Sequence, residues 1–374
     1  MKHPIVFVIM QTGASANGGV QSITEIMRRL KVHRPIVLTN LDTDATRSWR
    51  SFGIEVHIVP EKASAGLIRS PAGTIRTYLR YRRALAGILG TTGVSVIHAN
   101  DPLAFQLSFA AAKLSRTPIT LNLRDTLDPN RRPPGFKFHT IFAAADHVFY
   151  LSADMAEHWR KVAANAMRSS SVTYSIVDPE RFAASPITAD GEPVVLVPGV
   201  FWPKKGQLQF IRNVVPALAE HGIETWFAGD FEPDTNPYAA ACAEAAQAYA
   251  GRVRFLGYRK DLPDLYREAS VVAVPSRHEG LVRGMIEAMS CGRPVVSFDV
   301  CSAREILEQK SGGAGIVVPM GDYARMADAL IHYSIDRSDQ AAAGRAASAS
   351  ARILFEPDEV VERHERVYCA LVKD

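Results

Sequence analysis

The chain has 374 residues, 47% of them hydrophobic and 22% charged, which excludes wholesale disorder, collagen and coiled coil and allows two domains with cores of their own. Its four cysteines, Cys242, Cys291, Cys301 and Cys369, form no C-x-x-C pair, so a structural zinc site has little support and a reducing compartment fits better. The net charge of +4 is uneven: residues 1–185 carry 23 Lys+Arg against 13 Asp+Glu, residues 186–374 carry 20 against 26. A basic first half is expected to face an anionic partner: a membrane surface, a phosphorylated substrate or nucleic acid.

In chain order, the apolar run Ile5–Met10 predicts a buried strand. It is too short for a membrane span and lacks the flanks of a secretory leader, and no stretch reaches the roughly 18 apolar residues of a span, so the chain reads as cytoplasmic. A glycine-containing loop, Gln11–Gly19, precedes a helix over Val20–Leu30. Strands are predicted at Pro35–Thr39, Glu55–Val59, Ser95–Ala99, Ile119–Leu123 and His147–Leu151, with helices at Thr74–Leu89 and Leu103–Leu114. The stretch Asp178–Pro193 has three prolines and no periodicity, and reads as a linker. The alternation then restarts. Strands are predicted at Val194–Val197, Glu224–Ala228, Val253–Phe255, Val271–Val274, Pro294–Phe298 and Gly315–Val318. Helices are predicted at Gln207–His221, Leu262–Glu268, Leu281–Ser290, Asp322–Ser334 and, last, Pro357–Leu371. Such alternation implies parallel sheets, with ligands bound beyond the carboxyl ends of the strands.

Three loops that follow strands are candidates for chemistry. Gly13–Gly19 ends in Asn17-Gly18-Gly19; adjacent glycines let backbone N–H groups approach an anion, but a plain tight turn has the same composition. Pro198–Gly206 carries Lys204 and Lys205 just before a helix start, as a phosphate loop or a solvated basic turn; its spacing is not that of a P-loop. Pro275–Met289 is the strongest: Glu279 is expected in the loop after an apolar strand, and Glu287 inside the following helix among apolar neighbours. A buried carboxylate needs hydrogen-bond donors, which a sugar or ribose diol would supply, or an arginine.

The segment Pro275–Val296, Pro-Ser-x-x-Glu-Gly-x6-Glu-Ala-Met-x-Cys-Gly-x-Pro-Val-Val, resembles the signature of retaining glycosyltransferases of family four. The Gly18-Gly19 loop, the Gly199–Gly206 loop, Phe255-Leu256-Gly257-Tyr258, Ser302-Ala303-Arg304-Glu305 and Val317-Val318-Pro319 agree with that family in order and spacing. The resemblance implies a GT-B fold: two doubly wound, Rossmann-like α/β domains facing each other across a cleft. It further implies that Glu287 binds ribose hydroxyls and Glu279 holds donor-sugar hydroxyls. Backbone amides of Gly280, Leu281, Val282 and Arg283 would meet the sugar and the distal phosphate. Lys205 would neutralise the diphosphate, Gly19 would close on it from the other domain, and Tyr258 and Arg259 would lie at the base. Two positions depart from the family pattern. Val200 stands where the family has a loop arginine, leaving Lys204 or Arg283 to replace that cation. Arg124-Asp125 stands where the family often has His-Asp, and an arginine cannot serve as a general base.

Weaker candidates are His98 and the Arg131-Arg132-Pro133-Pro134-Gly135 turn, both expected on the acceptor side with Asp125, and His278, which reads as an ordinary loop histidine. Asp42-Thr43-Asp44 has the form of a metal-binding D-x-D but stands alone. The stretch Leu67–Leu89 carries Arg69, Arg76, Arg80, Arg82 and Arg83 among Tyr78, Tyr81, Leu79, Leu85 and Leu89, as a helix lying on an anionic bilayer would, or as a core helix with a charged outer face.

Taken together, residues 1–180 are expected to form an acceptor domain, residues 190–352 a nucleotide-sugar domain, and residues 353–374 a terminal helix packing back on the first. The expected activity is transfer of a sugar, with retention, from a UDP- or GDP-sugar to a glycan or lipid-linked acceptor in surface polysaccharide or glycolipid assembly. Glu279, Arg124 and Lys205 are the expected catalytic group. No cofactor, metal or nucleic acid is expected, and the protein is expected in the cytoplasm, with peripheral contact at the inner membrane face through its basic first half. The alternatives are a nucleotide-sugar-binding protein without turnover and a related GT-B epimerase.

Overall fold

The computed structural model describes residues 2–11, 18–60, 71–126, 143–163, 169–186 and 191–372. By its contacts the chain divides into two units, Met1–Ile176 with Pro357–Asp374, and Val177–Glu356.

The first unit is built on parallel strands β1 (His3–Ile9), β2 (His33–Thr39), β3 (Glu55–Ile58), β4 (Val96–Ala99), β5 (Ile119–Leu123), β6 (His147–Tyr150) and β7 (Ser170–Val172). Their order is β3-β2-β1-β4-β5-β6-β7. The run Ile5–Ile9 is apolar on both faces because helices cover both, as a parallel sheet requires. The order reverses between β1 and β4, the kind of position at which ligands bind beyond the strand ends in parallel sheets. At that edge Asp101 caps the helix Pro102–Ser115, accepting a hydrogen bond from the Ala104 amide at 2.8 Å, with proline in the first turn. Burial pushes the Asp101 carboxyl up.

The Asp42-Thr43-Asp44 triplet is the start of a helix, Asp44–Ser51, that the sequence pattern did not reveal. Asp42 accepts from Thr46 and Arg50, and Asp44 pairs with Arg47, so both carboxylates serve the helix end.

The terminal helix Pro357–Leu371 belongs to this unit. Val360, Val361 and Tyr368 join the core around Ile5, Phe7 and Phe149. Glu365 accepts hydrogen bonds from the amides of Lys31 and Val32 at 2.9 and 2.7 Å. His364 stacks on Phe149, with ring centroids 4.5 Å apart.

The second unit repeats the plan. Strands β8 (Val194–Pro198), β9 (Glu224–Ala228), β10 (Val253–Gly257), β11 (Val271–Val274), β12 (Val295–Phe298) and β13 (Gly315–Val318) lie in the order β10-β9-β8-β11-β12-β13, again parallel. Here the reversal falls between β8 and β11. The expected helix Gln207–His221 is two, Gln207–Asn213 and Val215–Glu220, because Pro216 has no N–H to continue the ladder. An eighteen-residue helix, Arg337–Leu354, escaped the sequence reading. Its buried stripe is Gln340, Ala343, Gly344, Ala347 and Ala351, too small and polar to register as an apolar face. Among the described residues no helix is long and apolar enough to cross a membrane.

Burial holds the imidazoles of His147 and His364 down to about 4, and that of His98 well below its ordinary value. An unfolded histidine titrates near 6.5, so the unfolded chain takes up protons first as the pH falls. The stability these groups allow is complete above that value and is lost between about 6.5 and 4. We expect urea unfolding, followed by the buried Trp49 and Trp159 of this unit, to shift to lower urea between pH 7.5 and 5, and H364F to reduce that shift. An identical shift in both proteins would contradict the assignment.

Candidate functional site

The reversal point of the second sheet brings two loops together. The loop after β8 begins at Gly199 (φ 137°), passes through a tight turn Pro203–Lys205 and reaches Gly206 (φ 75°). The loop after β11 runs over residues 275–282 into the helix Arg283–Ser290. They interlock without room for side chains. A Cβ on Gly206 would stand 2.1 Å from the Pro275 carbonyl oxygen, and one on Gly284 would stand 2.8 Å from Pro198. The Arg277 amide donates to the Lys204 carbonyl at 2.7 Å. Gly206 is thus glycine for two reasons, left-handed backbone and close approach.

This interlock places the charged groups. The Lys205 side chain passes over Gly199 and its Nζ lies 2.6 Å from Glu279 Oε1. One helical start further on, Arg283 Nε donates to Glu287 Oε1 at 2.7 Å, and the Tyr266 hydroxyl donates to Glu287 Oε2 at 2.9 Å. Both carboxylates are buried, at 7% and 5% exposure, whereas the side chains of Lys205 and Arg283 keep 21% and 17%. Removing a carboxylate from water costs several kcal/mol unless donors replace the water, and here a cation does so for each. A carboxylate oxygen accepts more than one hydrogen bond, so the pairing is compatible with hydroxyl recognition. Burial, and next the Glu287 charge, push the Tyr266 phenol well up, so it stays a donor. From the loop after β12, Ser302, in left-handed backbone (φ 69°), donates to the Gly280 carbonyl at 2.8 Å and braces the loop.

The structure therefore brings together Lys205, Glu279, Gly280, Arg283 and Glu287. Leu281 and Val282 are buried aliphatic residues of the connecting loop, and Lys204, partly buried, contributes its carbonyl to the interlock. Tyr258 and Arg259 lie beyond β10, two strands from β8. Tyr258 is 59% exposed, and Arg259 pairs with Asp261. Tyr266 had no signal of its own, since it sits in an ordinary amphipathic helix, and Ser302 stood out only within the Ser302–Glu305 motif, which does not announce its backbone angle.

In the first unit, Gly18 and Gly19 open the helix Gly18–Arg29 at the end of the β1 loop. Arg124, partly buried, follows β5. Asp125 is exposed, and its carbonyl accepts from the Trp159 indole at 3.1 Å. Arg131 and Arg132 lie outside the described residues. The acceptor-side expectation for His98 is corrected. Its ring is fully buried among Phe7, Phe149 and Tyr368, with Nδ1 2.9 Å from the Tyr368 hydroxyl and 3.1 Å from Thr120 Oγ1. The residue sits within β4, as expected, but its ring packs against the terminal helix and is not exposed at the strand end.

Among the described residues one group of metal-ligating side chains converges, His332, Asp336 and Asp339. It is exposed, and its members already cap a helix (Asp336) and form an ion pair (His332 with Asp339).

Two doubly wound sheets, each with the strand order of a Rossmann-like unit, define a GT-B protein. The solved structure of HepE from Anabaena in complex with UDP-glucose is similar over 98% of this chain and 99% of its own, with a TM-score of 0.79 and 21% identity. Residues 192–336 match the family described as Glycosyl transferases group 1. The lipopolysaccharide core biosynthesis mannosyltransferase LpsB of Rhizobium meliloti is 33% identical over 114 residues, which is 29% of this chain and 32% of that one. The phosphatidyl-myo-inositol mannosyltransferase of Mycobacterium leprae is 25% identical over 336 residues, 84% of this chain and 83% of that one. The match thus spans about a third of LpsB and, for the M. leprae protein, most of the length. The second unit thus matches a glycosyltransferase family, and the whole chain is similar to family-four-like glycosyltransferases with the GT-B fold.

Alanine at position 206 would force its Cβ onto the Pro275 carbonyl and hold left-handed backbone without glycine. We expect G206A to lose about 1–3 kcal/mol in denaturant unfolding. An unchanged midpoint would show that the loops do not interlock as described.

Proposed function

We propose that the protein transfers a glycosyl group from a nucleotide sugar, UDP- or GDP-linked, to a glycan or lipid-linked acceptor in polysaccharide or glycolipid assembly, with retention of anomeric configuration. The observation that carries this reading is the pair of buried carboxylates, Glu279 and Glu287, each held by a cation at the reversal point of the second sheet. Carboxylates in that position suit polyhydroxylated groups, and the cations suit a diphosphate. The mannosyltransferase relatives and the nucleotide-bound neighbours support the same chemistry.

In this mechanism the bond from the anomeric carbon to the diphosphate oxygen breaks with oxocarbenium character. Negative charge grows on the departing phosphate, where Lys205 offsets it. Glu287 orients the nucleotide through its ribose hydroxyls, and Glu279 orients the sugar. Among the described residues no carboxylate pair of the hydrolase type stands ready as nucleophile, so in this reading the acceptor hydroxyl attacks from the face the phosphate leaves. A departing phosphate oxygen takes its proton. Arg124, always protonated, has no role as a base and is assigned to holding an anionic group of donor or acceptor.

The acceptor is assigned to an anionic membrane surface. The helix Pro71–Thr92 buries Tyr81, Leu85 and Ile88, and turns Ile75 and Leu79 outward at 60% and 47% exposure. Arg76, Arg80 and Arg83 line a shallow groove with them, and no acidic residue occurs from Ile75 to Thr92. Aliphatic tips ringed by arginines match the anionic headgroup region, which supports peripheral binding at the inner membrane face.

Calorimetric titration with UDP, GDP and ADP is expected to show one tight nucleotide, with E287A weakening it by tenfold or more. Equal affinity in E287A would contradict the site. Turnover of the matching nucleotide sugar, with the product's anomeric configuration read by NMR, separates a retaining transferase from a binding protein without turnover or an epimerase. The two departures Val200 and Arg124 are the features that favour the binding protein. Flotation with anionic liposomes is expected to carry the protein up at low salt, and a double I75S/L79S variant to reduce that fraction severalfold. Flotation indifferent to lipid charge would contradict a basic docking face.

A further inference from the structure

Arg283 is badly placed by every local criterion. It is the first residue of the helix Arg283–Ser290, where the helix dipole opposes a cation. Its partner Glu287 lies four residues toward the carboxyl end, the weaker orientation for a helical ion pair. Its side chain is also withdrawn to 17% exposure, which adds a desolvation cost. What offsets these costs is the buried Glu287 carboxylate, which needs a cation beside it.

The surroundings give the position a use. Gly284 abuts Pro198 at the end of β8, so the start of the helix meets the same strand end over which Lys205 passes at Gly199. The loop from Pro198 to Pro203 contributes no charge of its own, and Val200 at its tip is 51% exposed. A cation on that loop would be the direct way to meet an anion at β8. The chain instead brings one from the neighbouring strand's helix.

We propose that Arg283 is the second anion-reading cation of this site. It works beside Lys205 and binds the diphosphate of the nucleotide while its Nε holds the Glu287 carboxylate in place. One guanidinium then ties phosphate recognition to the orientation of the carboxylate assigned to hydroxyls. Arginine rather than lysine suits this, because a planar fork can serve a carboxylate and a phosphate at once. The inference rests on the donor-site reading above for the identity of the anion, but not for the presence of an anion site.

The test uses calorimetry with pyrophosphate, and with UDP, GDP and ADP each against its nucleoside, on wild type and R283Q. Glutamine keeps an N–H for Glu287 and removes the charge. The expected result is a loss of about tenfold or more in affinity for pyrophosphate and for the bound nucleoside diphosphate, with nucleoside affinity changed by less than about twofold. Parallel weakening of diphosphate and nucleoside would reduce Arg283 to a positioning residue and overturn the proposal. So would unchanged pyrophosphate affinity. Should R283Q fail to fold, R283Q/E287Q removes both charges of the pair, and pyrophosphate binding is read there with the same expectation. Wild type that binds pyrophosphate but none of the nucleotides would sink the donor reading and leave the anion role standing. Wild type that binds neither would overturn both.

Discussion

Everything distinctive about the second unit depends on neutralising two buried carboxylates. Glu279 and Glu287 sit where adjacent parallel strands part, and each would be untenable without a cation within hydrogen-bonding distance. The glycines at 199, 206 and 284 exist to bring those cations in. Two carry left-handed backbone, and Gly206 and Gly284 lie so close to a neighbouring loop or strand end that a methyl group would collide. Backbone shape, close packing and charge balance are thus one constraint expressed three ways. A site assembled at such cost, on strand ends, is pre-organised, which suits the proposed nucleotide-sugar ligand with its hydroxyls and phosphates.

The first unit shows a different economy. Its sheet has the same winding, yet the histidine at 98, which follows the logic of a strand-end residue in sequence, is part of the core. Phe7, His98, Phe149, His364 and Tyr368 form one aromatic cluster that fastens the terminal helix to the sheet. The stability of this unit is therefore coupled to a segment that follows only after the 180 residues of the second unit. Neutral histidines serve as packing groups there, which makes the docking sensitive to acid.

Much of the plan was legible in the sequence because parallel strands buried on both faces are written as plain apolar runs. Ile5–Ile9, Val194–Val197 and Val271–Val274 announce themselves in this way, and the loops after them follow by topology. Glu287 stood out because charge inside an apolar helix is expensive, and Glu279 because it falls in the loop after an apolar strand. What stayed hidden has physical causes. Arg337–Leu354 buries alanine and glycine instead of large side chains. Tyr266 acts through a hydroxyl twenty-one positions from its partner, and Ser302 acts through a backbone angle. His98 was misplaced although its strand was bounded correctly, because nothing local to the strand announces that the distant terminal helix covers that side chain.

Hydrogen–deuterium exchange with and without UDP and GDP tests most directly whether the parted ends of β8 and β11 are where the nucleotide sits. Added protection is expected at the Gly199–Gly206 loop and over residues 276–289, with one of the two nucleotides. Protection that falls elsewhere in the chain while these two segments stay unchanged would contradict it.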